Sequence, residues 1–267
     1  MIKIKIGKKS FLGVYRWDDI TLRRFCDLAA IPMPKGYEAY MLADEQFSTE
    51  TVDQYIEATL NITEEQLTTD FPIYYRKVIE CLTDIPYKTV MLLSAEQAND
   101  LYEYYFKPFV ISLIYHTPVI HFMGQIKEYE PLQVDKIRIG FKTFILPESI
   151  NIMGQDIPLA NEPIISYSEA SDIFKGQKFS KEDVKRLAHF MAIYCRKRGE
   201  DYSDKNALER QDIFMKAPMS VVWSVFFYTI QRLPGSSILI QLFGKLPHPI
   251  REARELALTY RNMAVEV

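Results

Sequence analysis

The chain has 267 residues, 48% of them apolar and 25% charged, enough to bury a sizeable core and too apolar for intrinsic disorder. Its formal charge of −3 argues against a non-specific nucleic-acid binder, which needs a dense excess of Lys and Arg to neutralise phosphates. Cys26, Cys81 and Cys195 are odd in number, far apart and without CxxC spacing, so they argue against a disulfide framework or a zinc knuckle and fit a reducing cytoplasm.

The chain opens on Ile2, Ile4 and Ile6 alternating with Lys3 and Lys5, then Gly7-Lys8-Lys9-Ser10 before Phe11, Leu12 and Val14. That pattern predicts a short hairpin and lacks the continuous apolar run of a secretory signal. Asp18 or Asp19 is expected to cap a helix whose apolar face is Leu22, Phe25, Cys26 and Ala29, stopped by Pro32 and Pro34. Cys26 then reads as an inert core thiol. Ser48 precedes Val52, Tyr55, Ile56, Thr59 and Leu60 at helical spacing, and Thr63 with Gln66 forms a capping box for a short helix. Asp70 is expected to start the next helix, with Pro72 in its first turn and Tyr75, Val78, Ile79 and Leu82 on one side.

A second capping box, Ser94 with Gln97, opens a longer pattern through Leu101, Tyr105 and Phe109, which Pro108 should kink or interrupt and Pro118 should end. Gln125 to Pro163 reads as a small β insert between two helical regions, with the loop near residues 118–131 as the preferred boundary. Ile137, Ile139, Phe141, Thr143 and Ile145 alternate with Arg138, Gly140 and Lys142, the pattern of one half-buried strand. Met153-Gly154-Gln155-Asp156 between two apolar runs reads as a hairpin turn.

Ser180 with Asp183 is a third capping box, leading a face of Val184, Leu187, Ala188, Met191, Tyr194 and Cys195 that Arg196, Lys197, Arg198 and Gly199 close, their charge complementing the helix dipole. After the charged loop Arg198-Gly199-Glu200-Asp201-Tyr202, Pro218 can start a helix with Val221, Val222, Trp223, Val225, Phe226, Phe227, Tyr228 and Ile230. It has almost no polar side and must be covered all round, in part by another chain if need be. The run is too short to cross a hydrocarbon layer of ~30 Å. Pro249 can open a last amphipathic helix with Ile250, Ala253, Ala257 and Tyr260 inside and Arg251, Arg254 and Arg261 outside.

The expected fold is therefore α+β and mainly α: a helical N-terminal region, a small antiparallel β insert and a helical C-terminal region. The division falls into residues 1–124 and 125–267, or the two form one domain.

No catalytic, cofactor-binding or metal-ligating residue is assigned, and no cofactor is expected. His116 and His121 are separated by Pro118 and cannot share a helical face, as a two-histidine metal motif requires. His189 and Cys195 lie six residues apart on one helix, beyond hydrogen-bond reach for thiolate activation. The neighbouring carboxylates Asp18-Asp19, Glu64-Glu65 and Glu200-Asp201 diverge rather than converge on a substrate, and the glycines form neither GxGxxG nor a Walker loop. Arg196-Lys197-Arg198 and the C-terminal arginines leave nucleic acid possible but not favoured, since a helix end or a solvated face places them equally well. Trp17, Trp223, Phe226, Phe227 and Tyr228 are the candidate anchors, whether of a monomer core or of an interface.

Trp17-Asp18-Asp19-Ile20-Thr21-Leu22 followed by a helix, and Tyr55 to Leu67 with its acidic and leucine positions, form one pattern. Ile137–Ile145, Tyr167-Ser168-Glu169-Ala170, and Leu187-Ala188 through Arg198-Gly199-Glu200-Asp201-Tyr202 to Phe226-Phe227 form a second. Together they resemble tail assembly chaperones and related morphogenesis proteins of tailed bacteriophages, in the order of features rather than in shared chemistry. The chain departs from that pattern between Ala95 and Tyr115 and after Gly235. The resemblance implies a non-enzymatic protein that binds other phage structural proteins as a homo- or hetero-oligomer through apolar and aromatic surfaces, with no membrane. It implies the host cytoplasm during assembly, and the virion if the chain is retained. A component kept in the tail, near the portal or in the packaged interior is the first expectation; a transient tail assembly chaperone is the alternative. An enzyme, hydrolase or metal-dependent, with His116, His121 and Glu162 converging is the second alternative.

Overall fold

A computed structural model describes residues 1–37, 41, 62–115, 118–122, 125–128, 136–146, 149–152, 155–158, 181–197 and 204–230. The alternating N-terminus forms the expected hairpin, β1 (Ile2–Ile6) with β2 (Lys9–Gly13), placing Ile4 opposite Phe11. The far edge of β2 is also paired: Val14 N–H donates to Leu82 O at 3.0 Å and Asp84 N–H to Leu12 O at 2.9 Å. At Gly13 a Cβ would stand 3.3 Å from Thr83 Cγ2 on that edge and 2.9 Å from the end of the Ile4 side chain of β1.

Helix α1 (Leu22–Ala29) buries Leu22, Phe25, Cys26 and Leu28, not the Ala29 expected from spacing alone. Its cap is Thr21, whose Oγ1 accepts from Arg24 N–H at 3.3 Å, and not Asp18 or Asp19. The two aspartates are used elsewhere. Asp18 accepts from the Ser220 hydroxyl, and Asp19 accepts from the Met1 ammonium and from the Tyr15 and Arg16 N–H groups.

The Thr63–Gln66 capping box forms, with Thr63 N–H on Gln66 Oε1 at 2.8 Å. The helix it starts does not stop at Asp70. It passes through one wide π turn (Gln66–Asp70) into α2 (Phe71–Leu82), which buries Phe71, Tyr74, Tyr75, Val78, Ile79 and Leu82. After a short α3 (Tyr87–Val90), the Ser94–Gln97 box caps α4 (Ala95–Leu101), which runs through a second π turn (Tyr102–Phe106) into α5 (Lys107–Tyr115).

Both π turns have the same cause. Phe71 N–H reaches Gln66 O and Lys107 N–H reaches Tyr102 O, five residues back, and each of these donors is followed by a proline, Pro72 or Pro108. A proline in a helix lacks its N–H and its ring collides with the carbonyl four residues earlier, so the ladder widens by one residue and the axis continues. The kink expected at Pro108 is absorbed this way. Along this stretch Ala98, Tyr102 and Phe106 are buried, while Leu101 and Tyr105, the positions expected from spacing, lie at the edge of the core.

Residues expected as a connecting loop contain a hairpin, β3 (Val119–Phe122) with β4 (Gln125–Glu128). The run expected as one strand is also a hairpin, β5 (Lys136–Ile139) with β6 (Lys142–Ile145), because Gly140 takes φ 58° and reverses the chain. The fourth hairpin, β7 (Ser149–Ile152) with β8 (Gln155–Pro158), agrees with the sequence, with Gln155 and Asp156 inside the strand rather than the turn. The described strands thus form separate antiparallel pairs, and the fold is α+β and mainly α, as the sequence indicates.

Helix α6 (Lys181–Tyr194) buries the whole predicted face and adds Phe190, Ala192 and Ile193. The basic run after it is not a solvated tail, for Arg196 pairs through its backbone with Ile145 (2.8 and 3.1 Å) and is itself buried. Its Nε donates to Ile193 O at 3.3 Å, and the buried Arg210 donates to Ala192 O at 3.0 Å, so two guanidiniums close the α6 C-terminus. Arg210 belongs to α7 (Asp204–Phe214), a helix the sequence reading passed over because one of its three buried positions, Ala207, Arg210 and Phe214, is charged. Pro218 opens α8 (Met219–Ile230) as expected. Ser48, Ser180 and the proposed helix after Pro249 lie outside the described residues.

Residues 17–23 and 215–220 are stitched together. Leu22 and Arg23 N–H donate to Ala217 and Met215 O, both at 2.9 Å, while Met219 and Ser220 N–H donate to Ile20 O at 2.8 Å and Trp17 O at 3.1 Å. Each helix therefore has its first free N–H groups satisfied by the chain that precedes the other. Beneath this seam, α1 packs against α2, α6 and α8, and one apolar core runs from Ile4 to Phe226.

Partial burial alone would raise the Asp19 carboxyl, but the Met1 ammonium and the two backbone donors hold it below its ordinary value of 3.8. A depressed carboxyl stabilises the fold above its unfolded pKa and loses that contribution as pH falls through the folded value. Asp19→Asn is therefore expected to lower the melting temperature at neutral pH and to flatten its fall below about pH 4. Thermal unfolding followed across acid pH measures both effects.

Candidate functional site

Trp17 sits directly under the seam joining α1 and α8. Its ring is 4.9 Å from Phe109, 5.7 Å from Phe25 and 6.0 Å from Trp223, all edge-on, and its indole N–H donates to Val119 O at 3.1 Å. Trp223 continues the chain of rings to Phe226 (6.1 Å) and Phe227 (6.0 Å), and Phe226 meets Phe190 of α6 at 5.4 Å. Edge-to-face rings at these separations add to the burial of their area. Trp17, Trp223 and Phe226 are buried and Phe227 is half-buried; Tyr228 lies in α8, with its side chain outside the described residues. Four of the five anchors thus act within the protein's own core, and α8 is covered largely by its own chain. A second ring cluster joins Tyr37 to Tyr74 and Tyr75 of α2 and to Tyr102 of the second π turn, with Tyr75 and Tyr102 stacked at 4.3 Å.

The titratable groups in the described core are committed to structure. Burial, with a smaller contribution from Asp27, pushes the Cys81 thiol up to about 12 and burial pushes Cys195 higher still, so neither supplies a thiolate near neutrality. His189 hydrogen-bonds Gln211 through Nδ1, on a different turn from Cys195. Lys107 is buried and pairs with Glu103 at 2.9 Å across the second π turn. His121 lies in β3 opposite Ile126, its side chain outside the described residues, as are His116 and Glu162. Among the described residues, no group of three or more His, Cys, Asp or Glu converges to hold a metal ion, and no helix is long and apolar enough to cross a membrane.

What the sequence reading missed lies on the surface. Tyr15, Tyr105 and Tyr104 form a row with centroids 6.1 and 5.7 Å apart, in which Tyr15 is 52% and Tyr104 74% exposed. Its members come from two segments, the loop after β2 and the second π turn, so no sequence window contains the row. Phe141 is fully exposed at the tip of the β5–β6 hairpin. Its alternation with Ile137 and Ile139 points inward only if the strand continues through Gly140.

No family model, curated protein or solved structure matches the chain.

Truncating Trp17→Ala is expected to cost about 3–5 kcal/mol, while Trp17→Phe keeps a ring, loses the bond to Val119 O and costs less. Urea unfolding curves of the two variants test that order. Cys81 and Cys195 are expected to resist iodoacetamide at mildly alkaline pH in the folded protein and to react fully in denaturant, which mass spectrometry of the alkylated chain reads directly.

Proposed function

We propose that the chain serves virion assembly in a tailed bacteriophage as a non-enzymatic protein that works by contact with other particle proteins and is retained in the particle. The reading is supported first by the exposed tyrosine row, since the principal Trp and Phe anchors are already used inside the fold. Two largely exposed rings packed against a half-buried third present rigid, amphipathic area of the kind enriched at interfaces. The order of sequence features shared with tail morphogenesis proteins supports the biological setting, and the raised thiols and structurally committed Lys107 and His189 favour binding over catalysis.

The partner is another structural protein of the particle. Light scattering of the chain with candidate tail and portal-proximal proteins is expected to show a complex. Tyr15→Ser combined with Tyr104→Ser should weaken it by about tenfold or more while leaving the melting temperature unchanged. A compact monomer that takes up none of these proteins overturns the reading. Mass spectrometry of purified particles tests retention: presence supports a subunit, and absence indicates a transient helper.

A further inference from the structure

The β5–β6 hairpin carries a local excess of cations in this net-acidic chain, as the β1–β2 hairpin does through Lys3, Lys5, Lys8 and Lys9, and it adds an exposed ring at its turn. From Lys136 to Leu146 there are three cations, Lys136, Arg138 and Lys142, and no carboxylate; the nearest in sequence, Asp135 and Glu148, fall outside it. All three cations are exposed, and among the described residues none forms an ion pair. The hairpin is held from behind. Ile137 pairs with Phe144 on the buried face, Phe144 packs on Phe214 of α7 at 4.9 Å, and Ile145 exchanges two backbone hydrogen bonds with Arg196. Lys136 and Arg138, two residues apart, share the opposite face and lie about 7 Å from one another. At the tip, Gly140 in the left-handed region sets Phe141 fully into solvent beside Lys142.

We propose that this hairpin is a contact site for single-stranded nucleic acid, with Phe141 stacking on a base and Lys136, Arg138 and Lys142 neutralising the flanking phosphates. Among the described residues nothing covers Phe141 on its two-residue turn, and its neighbours supply the charge complement of a phosphate backbone. A base offers its face to an isolated ring, and stacking of this kind is tolerant of sequence. A bilayer fits less well, because one ring flanked by Gly140 and Lys142 is a marginal anchor. A duplex hides its base faces, so the ring selects unpaired strands. The inference is independent of the protein–protein reading, since it uses different residues.

Fluorescence anisotropy of a labelled oligo(dT) with the full chain tests it. Binding at low salt is expected to weaken with salt at a log–log slope of about −2, from roughly 0.7 per phosphate contacted. Phe141→Ala should weaken binding about tenfold or more, and the combined Lys136→Ala, Arg138→Ala and Lys142→Ala variant should abolish it. These side chains are exposed, so melting temperatures should be unchanged. As a second readout, Phe141→Trp should retain binding and have its emission quenched by the oligonucleotide. The proposal is overturned by absence of binding at low salt or by equal affinity in the Phe141→Ala variant. It is likewise overturned by equal competition from duplex DNA, or by Phe141→Trp emission that responds only to vesicles rich in phosphatidylglycerol.

Discussion

Two helix N-termini nearly two hundred residues apart in sequence satisfy one another, and the rest of the fold is arranged about that exchange. A helix start leaves its first N–H groups without intrahelical partners, and burying them unmet costs about 1–3 kcal/mol each. Here α1 and α8 both begin in the interior, and each uses the carbonyls of the segment leading into the other. Trp17 is part of that exchange twice over, through its carbonyl, which accepts from Ser220, and through its indole, which fixes the start of β3. The seam thereby sets the position of the aromatic core, and helices from the two ends of the described chain share it.

The prolines show a related principle inside single helices. Pro72 and Pro108 each remove a donor, and in both cases the backbone responds with one wide turn rather than a break. The second of these turns does more than preserve the axis. It carries Tyr102 and Phe106 in the core and Tyr104 in solvent beside Tyr105, so two members of the tyrosine row stand on it.

Burial also separates the aromatic residues by role. Most of the rings described serve packing, in edge-on, tilted and, for Tyr75 and Tyr102, stacked contacts. Cationic groups near the core, Arg24, Arg196 and Arg210, point at carbonyls near helix ends and act as local caps. Among the described residues, the features proposed for recognition are a row of exposed tyrosines and a basic hairpin with a single ring at its tip. Both are displayed on elements held by buried neighbours, which lowers the entropy lost when a partner is engaged.

Local signals were legible wherever a residue's partner lay within a few positions. The N-terminal hairpin, the Thr63 and Ser94 capping boxes, the α2 and α6 faces, the start of α8 and the fold class follow from spacing and turn chemistry, which act over one or two turns. Less local features were not legible. Asp18 and Asp19 look like caps, yet their donors are Ser220 on one side and the Met1 ammonium and neighbouring backbone on the other; Arg196 looks like a solvated helix end, yet a strand edge pairs it. Among the anchors, sequence composition identified Trp17, Trp223 and Phe226 as large rings needing cover, and only packing decided that the cover comes from the same chain. The sequence by itself determined which residues must leave water and where helices can begin. The tertiary structure decided which distant carbonyls meet those helix starts and which rings remain outside, because both depend on contacts between segments that no periodicity encodes.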